Sequence, residues 1–302
     1  MPLREILLLV VVCLVWGGHM LVIRVTVADT PPMFYVAIRL TLMILILSPF
    51  LRWRAGSMLR VAAAGAFLAG FNYALMFTGF KYATASAGAI AMELSPPFAT
   101  ILSVIFLHEK VGWRRIAGIG LAFLGVALIA LNPTEQGVGV GVGLIALAAL
   151  SEAAGSVLVK SLKGFRPIEL LACFAVVGAV INWTGTALFE SGQIASLSNQ
   201  PLAVGGAILY SIFLASIFGH TSYYWLLQRR PVSMIAPSLL LTTLFAVLLG
   251  VVLLGEQLTP MMMAGGLMTI AGVGVILLRS SPKSPATVAA GPEPHPAPET
   301  AK

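Results

Sequence analysis

Three charged side chains lie well inside long apolar runs: Arg39, Glu93 and Glu152. His19 and His220 are the two histidines so placed. Hydrocarbon penalises such groups, and a guanidinium in a span costs about 2.5–3.5 kcal/mol on insertion scales, so each invites a functional reading. Arg39 could hold a carboxylate; structurally, it could snorkel outward or pair with a buried acid such as Glu93. Glu93 lies one turn before Pro96 and Pro97. It could bind an ammonium group or carry a proton, or, protonated, it could bond the carbonyls that the prolines free. Glu152, with Ser156 one turn on, reads the same way. His19 and His220 could relay protons or bond to a neighbouring helix. Phe213, Ile217, His220 and Tyr224 stand at i, i+4, i+7 and i+11, one face of an α-helix, which suits either an amphiphilic cavity or plain packing. Trp16, Asn72, Tyr73 and Trp183 are weaker candidates of the same kind.

The elements that carry these residues are membrane spans. Of 302 residues, 59% are hydrophobic and 10% charged. Soluble domains usually carry about 25% charged residues. Ten apolar stretches recur at roughly 6–24, 33–51, 61–80, 83–107, 114–132, 138–160, 167–189, 201–227, 231–254 and 260–279. Most approach the roughly 20 residues that cross a bilayer. The chain therefore reads as an all-α polytopic membrane protein. The first stretch lacks an A-x-A-like cleavage site and reads as an uncleaved span. Residues 280–302, rich in Pro, Ala, Ser and Thr, read as a disordered tail. Cys13 and Cys173 read as small packing residues.

Basic residues set the orientation. With a cytoplasmic N-terminus, fifteen Lys and Arg fall on the inner side, and only Arg24 and Lys81 fall outside. The net charge of +7 therefore serves topology rather than a nucleic-acid partner, and both termini are expected in the cytoplasm.

A long repeat runs through the chain. At a shift of 147 residues Glu109 falls on Glu256, Ser86 on Ser233, Phe98 on Phe245, Gly118 on Gly265 and Gly125 on Gly272. Each half holds five spans, an odd number, so the second copy enters the membrane upside down. The loop after Glu109 is basic and the one after Glu256 carries no Lys or Arg, as inversion requires. Inverted repeats are typical of secondary transporters, with a site at the repeat interface. Expected units are 1–133 and 134–279, ten transmembrane helices as two inverted five-helix repeats around a central cavity. Glu109 and Glu256 end their helices; each is expected to anchor a turn by accepting bonds from the next helix's amides, or to form a gate contact. The paired glycines are expected to let helices approach closely. Thr243 and Leu244 replace Pro96 and Pro97 in the second half, so any kink there is expected elsewhere.

The opening Trp16-Gly17-Gly18, the Pro-x-x-Tyr-x-x-x-Arg run from Pro32 to Arg39 and the two kinked helix pairs ending in Glu109 and Glu256 resemble the EamA family of the drug/metabolite transporter superfamily. The resemblance covers about residues 6–279. It implies a ten-helix exporter, and the second copy looks especially like members that export amino acids, including aromatic ones, and related metabolites. No P-loop, HExxH or GxSxG motif is present and Asp29 is the sole aspartate, so no enzyme, metal or cofactor is expected. The expected partners are a small-molecule substrate and the lipid bilayer, in a bacterial cytoplasmic membrane, by alternating access. Exporters of lipophilic cations or drugs are the alternative within the class; a scaffold or channel is the alternative outside it.

Overall fold

A computed structural model describes residues 2–108, 111–131, 137–159, 162, 164–227, 229–230 and 235–278. The expected tail and Glu109 lie outside these residues, as do Lys110, Lys160, Lys163 and Arg279.

The described chain is helical throughout, with no strand among the described residues. Among the described residues, nine helices are long and apolar enough to cross a membrane. They are α1 (Leu3–Asp29), α2 (Pro32–Phe50), α3 (Met58–Tyr82), α4 (Ala85–Phe106), α5 (Trp113–Ala130), α6 (Val138–Val159), α7 (Pro167–Phe189), α8 (Pro201–Tyr223) and, after the next one, α10 (Pro260–Leu277). Between them α9 (Leu240–Leu254) is apolar but has only 15 residues in regular α-helix. It continues a 3₁₀ turn over Ala236–Leu239, so the ten-span expectation meets nine full-length helices and one shorter one. Proline opens α2, α7, α8 and α10, where its missing N–H has no intrahelical acceptor to lose. Thr84 caps α4 by accepting from the Ala87 amide at 3.1 Å.

Equivalent helices of the two halves pack on one another reciprocally. Helices α5 and α10, equivalent in the repeat, cross at their glycines. A Cβ at Gly118 would stand 2.8 Å from the Gly272 carbonyl oxygen, and one at Gly265 would stand 2.5 Å from that of Gly125. The contact is antiparallel, and it is reciprocal, because 118 matches 265 and 125 matches 272. At its centre the Thr269 hydroxyl points at the carbonyl of Ala122, its own equivalent at a shift of 147. Equivalent helices that run antiparallel about such a point place one half upside down. Helices α2 and α7 repeat the arrangement. The Glu190 carboxylate at the end of α7 accepts from the Met33 and Phe34 amides at 2.8 and 3.0 Å. At the other end Glu169 in the first turn of α7 lies 3.6 Å from Arg54 and 3.9 Å from Arg52. The remaining helices cross over: α1 packs on α8 and α9, and its equivalent α6 packs on α3 and α4.

Arg4, Arg52, Arg54, Arg60, Arg114, Arg115, Arg166, Arg229 and Arg230 gather at one end of this bundle, hereafter the basic end. Glu5 of α1 binds Arg230 there through two bonds of 2.7 and 3.0 Å. Arg24 and Lys81 lie at the opposite end. There the α3–α4 turn is held from both sides. Arg24 donates to the Phe80 and Lys81 carbonyls at 3.1 and 3.0 Å, complementing the end of α3. The Glu256 carboxylate accepts from the Ala85 and Ser86 amides and from the Ser86 hydroxyl, complementing the start of α4.

Two irregularities shape the centre. Helix α4 breaks into Ala85–Met92 and Ser95–Leu107, with a tight turn at Glu93 and Leu94. Pro96 and Pro97 thus occupy a first turn and strain no internal bond. The 3₁₀ turn before α9, Ala236–Leu239, falls at the equivalent of residues 89–92. The second irregularity therefore sits about a turn before the place that matches the α4 break, and it contains Pro237. A bond across the repeat links the two regions: the Thr243 hydroxyl, standing where Pro96 does, donates to the Glu93 carboxyl.

Candidate substrate cavity

Equivalent helices α3 and α8 each contain a π-helical stretch, Ala66–Phe71 and Tyr210–His220. A π stretch widens the turn and leaves carbonyls without their usual donors, and such stretches cluster at functional sites. In hydrocarbon those carbonyls need partners. On α3 they receive the Ser151 hydroxyl at Phe67 (2.7 Å) and the Asn182 amide at Ala69 and Gly70 (3.3 and 3.4 Å). On α8, Trp16 Nε1 donates to the Ala215 carbonyl at 2.9 Å. His220 Nδ1 lies 3.1 Å and 3.2 Å from the carbonyls of Ala215 and Ser216.

Between the two π stretches lies a cavity of about 620 Å³. Trp16 and His19 of α1, Arg39 of α2, Asn72 and Tyr73 of α3, Glu152 and Ser156 of α6, Ser216 and His220 of α8 and Thr242 of α9 contribute to its wall. Towards the basic end the wall continues through Val159, Leu162, Phe165 and Pro167. The lining includes no residue from the α3–α4 turn that Arg24 and Glu256 hold at the opposite end.

Arg39 is the centre of this cavity's electrostatics. It is 2% exposed. Nη2 donates to the Ser216 hydroxyl at 2.8 Å, while Nε and Nη1 are buried with no hydrogen-bond partner among the described residues. The guanidinium stands 5.0 Å from the Tyr73 ring centroid and 5.9 Å from that of Phe77. No ion pair among the described residues includes Arg39, so neither expected structural role holds: it reaches neither the surface nor a carboxylate. Cation–π contact and one hydroxyl fix its plane and leave Nε and Nη1 able to donate.

The remaining candidates divide. Asn72 donates to the Ala148 carbonyl at 2.8 Å, which fixes α3 against α6 one turn before Glu152. His19 Nε2 lies 2.8 Å from the Ser211 hydroxyl, which also meets the Tyr35 hydroxyl at 2.8 Å. The Trp16 and His220 rings pack at 5.2 Å. Trp16, His19, Arg39, Asn72, Tyr73, Glu152 and His220 therefore share one wall, on five different helices. Glu93 is not in the lining; it sits at the α4 break, bonded to Thr243 and within electrostatic reach of Glu152.

Trp183 and Phe213 are displaced from the expected site. Trp183 is 42% exposed on the outer surface of α7, its Nε1 donating to Thr41. Phe213 is 46% exposed and points away from the cavity. The reason is the π stretch: with about 4.4 residues per turn, Phe213 and His220 no longer share the face that α-helical spacing gives them. The Tyr224 side chain lies outside the described residues. Sequence reasoning passed over Ser216, Thr242 and Asn182. Ser216 stands one turn before His220, and that spacing was its available signal. Asn182 showed none beyond being an amide in an apolar run.

Residues 3–131 and, separately, 139–278 match the EamA-like transporter family model, so each half matches a copy. A relative described as an uncharacterized transporter from Archaeoglobus fulgidus is 28% identical over 87% of this chain and 92% of its own. A relative from Salmonella typhimurium named "Probable amino-acid metabolite efflux pump" is 26% identical over 90% of this chain and 94% of its own. A solved crystal structure, 17% identical and covering 90% of this chain and 96% of its own, superposes with a TM-score of 0.57 and shares the fold.

Proposed function

We propose a function from one premise: the chain belongs to the EamA-like transporter family, which makes it a multi-pass membrane transporter. Its cargo, on our reading, is an amino acid or a related carboxylate metabolite, exported by alternating access. The observation that carries the reading is Arg39: a buried guanidinium with two unpartnered N–H groups on a cavity wall. A buried, unpaired charge is costly, and a substrate carboxylate accepting from the Arg39 guanidinium would satisfy it. Glu152, on the same cavity, would take the α-ammonium group, while Trp16, Tyr73 and the apolar wall would cover the side chain. The name of the Salmonella relative agrees with this cargo.

Residues 1–133 and 134–279 are taken as the two units that rock against each other. The basic end is placed at the cytoplasm of a bacterial inner membrane, following the distribution of Arg residues. The cavity, continuous with that end, then faces inward, and Arg24 and Glu256 keep the outer end shut. Loading from the cytoplasm and release after those contacts part would give export.

The test is uptake of labelled amino acids into proteoliposomes, with and without a pH gradient, comparing wild type with Arg39→Ala and Glu93→Gln. Gradient-independent flux abolished by Arg39→Ala supports a facilitative carrier. Gradient-dependent flux that Glu93→Gln also removes adds proton exchange. Absence of amino-acid flux from folded protein, with transport of lipophilic cations that needs Glu152, overturns the reading in favour of a cation exporter.

A further inference from the structure

The cavity is chemically uneven. Its polar groups are held: Arg39 by Ser216 and two rings, Asn72 by Ala148, His19 by Ser211. Four methionines face the same space, one from each of α1 to α4: Met20, Met43, Met76 and Met92. Met43 follows Arg39 by four residues and Met76 follows Asn72 by four, so each polar anchor has a thioether one turn along the same face. Helices α6 to α9 add no methionine to the described lining; they supply Glu152, Ser156, Ser216, His220 and Thr242.

A methionine side chain is unbranched, has three rotatable bonds and ends in a polarisable thioether, so it fills irregular space and re-packs at low cost. Binding surfaces that accept varied partners use such flexible, Met-rich walls. A cavity of about 620 Å³ with a rigid carboxylate anchor and a soft arc beside it therefore separates two kinds of discrimination. A site built to hydrogen-bond a group rejects analogues that lack it. A rigid apolar pocket distinguishes ligands one methylene apart by about 10–200-fold, and a pliable pocket does not.

We propose that Met20, Met43, Met76 and Met92 determine specificity by making the transporter strict for the carboxylate and permissive for the size and shape of an apolar side chain. This rests on the reading that Arg39 holds the substrate carboxylate. The substrate class is then the carboxylates with apolar or aromatic side chains as a set, rather than one member of it.

The test is calorimetric binding to the full chain in nanodiscs, using leucine, methionine, phenylalanine and tryptophan, with their decarboxylated amines as controls. For wild type, the four dissociation constants are expected within about tenfold of one another, with each amine at least about 100-fold weaker. Met20→Ile and Met92→Ile replace two half-buried arc members with a side chain stiff at χ1. Each should widen the spread several-fold, and the quadruple Met→Ile variant should widen it beyond about 50-fold. The quadruple Met→Leu variant nearly conserves volume and guards against misfolding; it should widen the spread in the same direction. A wild-type spread above about 100-fold, with binding still lost in Arg39→Ala, overturns the soft-wall inference while leaving the carboxylate anchor standing. An unchanged spread in both quadruple variants does the same. Binding of no carboxylate at all overturns both.

Discussion

Replacing Arg39 with methionine should weaken transport and strengthen the empty protein at the same time. An unsatisfied buried donor costs about 1–3 kcal/mol, more when charged, and Arg39 has two, Nε and Nη1. Against this, the Ser216 bond and the Tyr73 contact return about 2–3 kcal/mol together. Arg39→Met fills a similar volume with apolar atoms, as in buried-ion replacements that prove neutral or stabilising. The substrate-free fold is expected to be unchanged or up to about 3 kcal/mol more stable. With substrate the sign reverses. Two charge-assisted bonds to a carboxylate are lost at about 1.5 kcal/mol or more each, about 3 kcal/mol in all and on the order of 100-fold in affinity. Thermal unfolding in nanodiscs separates the two effects. Saturating the wild type at a hundred times its dissociation constant should add about 2.7 kcal/mol of stability. The same concentration should add nearly nothing to Arg39→Met. A variant that unfolds more readily than empty wild type by about 2 kcal/mol or more, or that substrate still stabilises, would refute the argument and make Arg39 a structural residue.

Three further outcomes are expected. Asn182→Ala removes the donor shared by the Ala69, Gly70 and Gly178 carbonyls and should cost about 1–3 kcal/mol in thermal unfolding. Gly125→Val places a side chain against Gly265 and Thr269 and should abolish folded yield by size exclusion, while Gly120→Ala, with nothing within 4 Å, should be silent. Glu256→Ala frees the start of α4 and should raise labelling of a Ser216→Cys reporter, in a chain lacking Cys13 and Cys173, by an impermeant maleimide added at the end opposite the basic one. Unaltered labelling would show that the Glu256 contact does not hold that end closed.

The inverted halves were legible because two independent periodicities survive in the sequence: glycines seven apart at a shift of 147, and loop charge that reverses between copies. The place of Arg39 on the cavity wall was legible because an arginine has few reasons to lie within an apolar run. The π stretches were not legible. Nothing in the run of residues from Tyr210 to His220 marks a wider turn, since that geometry is chosen by donors such as Trp16 on another helix. An α-helical wheel therefore carried Phe213 to the wrong face and overlooked Ser216. The Glu93–Thr243 bond was hidden for a related reason: it spans 150 positions and leaves no local trace.

The crossing of α5 and α10 has a consequence for ancestry. Its contacts exchange onto themselves, Gly118 with Gly272 and Gly125 with Gly265, about Ala122 and Thr269. That is the signature of an isologous interface, the kind by which identical subunits form a closed pair. A five-helix protein inserted in both orientations would dimerise through this seam, and joining the two genes end to end would preserve it unchanged. Before such a fusion every substitution in the seam would act twice. Afterwards the halves are free to diverge, and Thr269 opposite Ala122 is one place where they have.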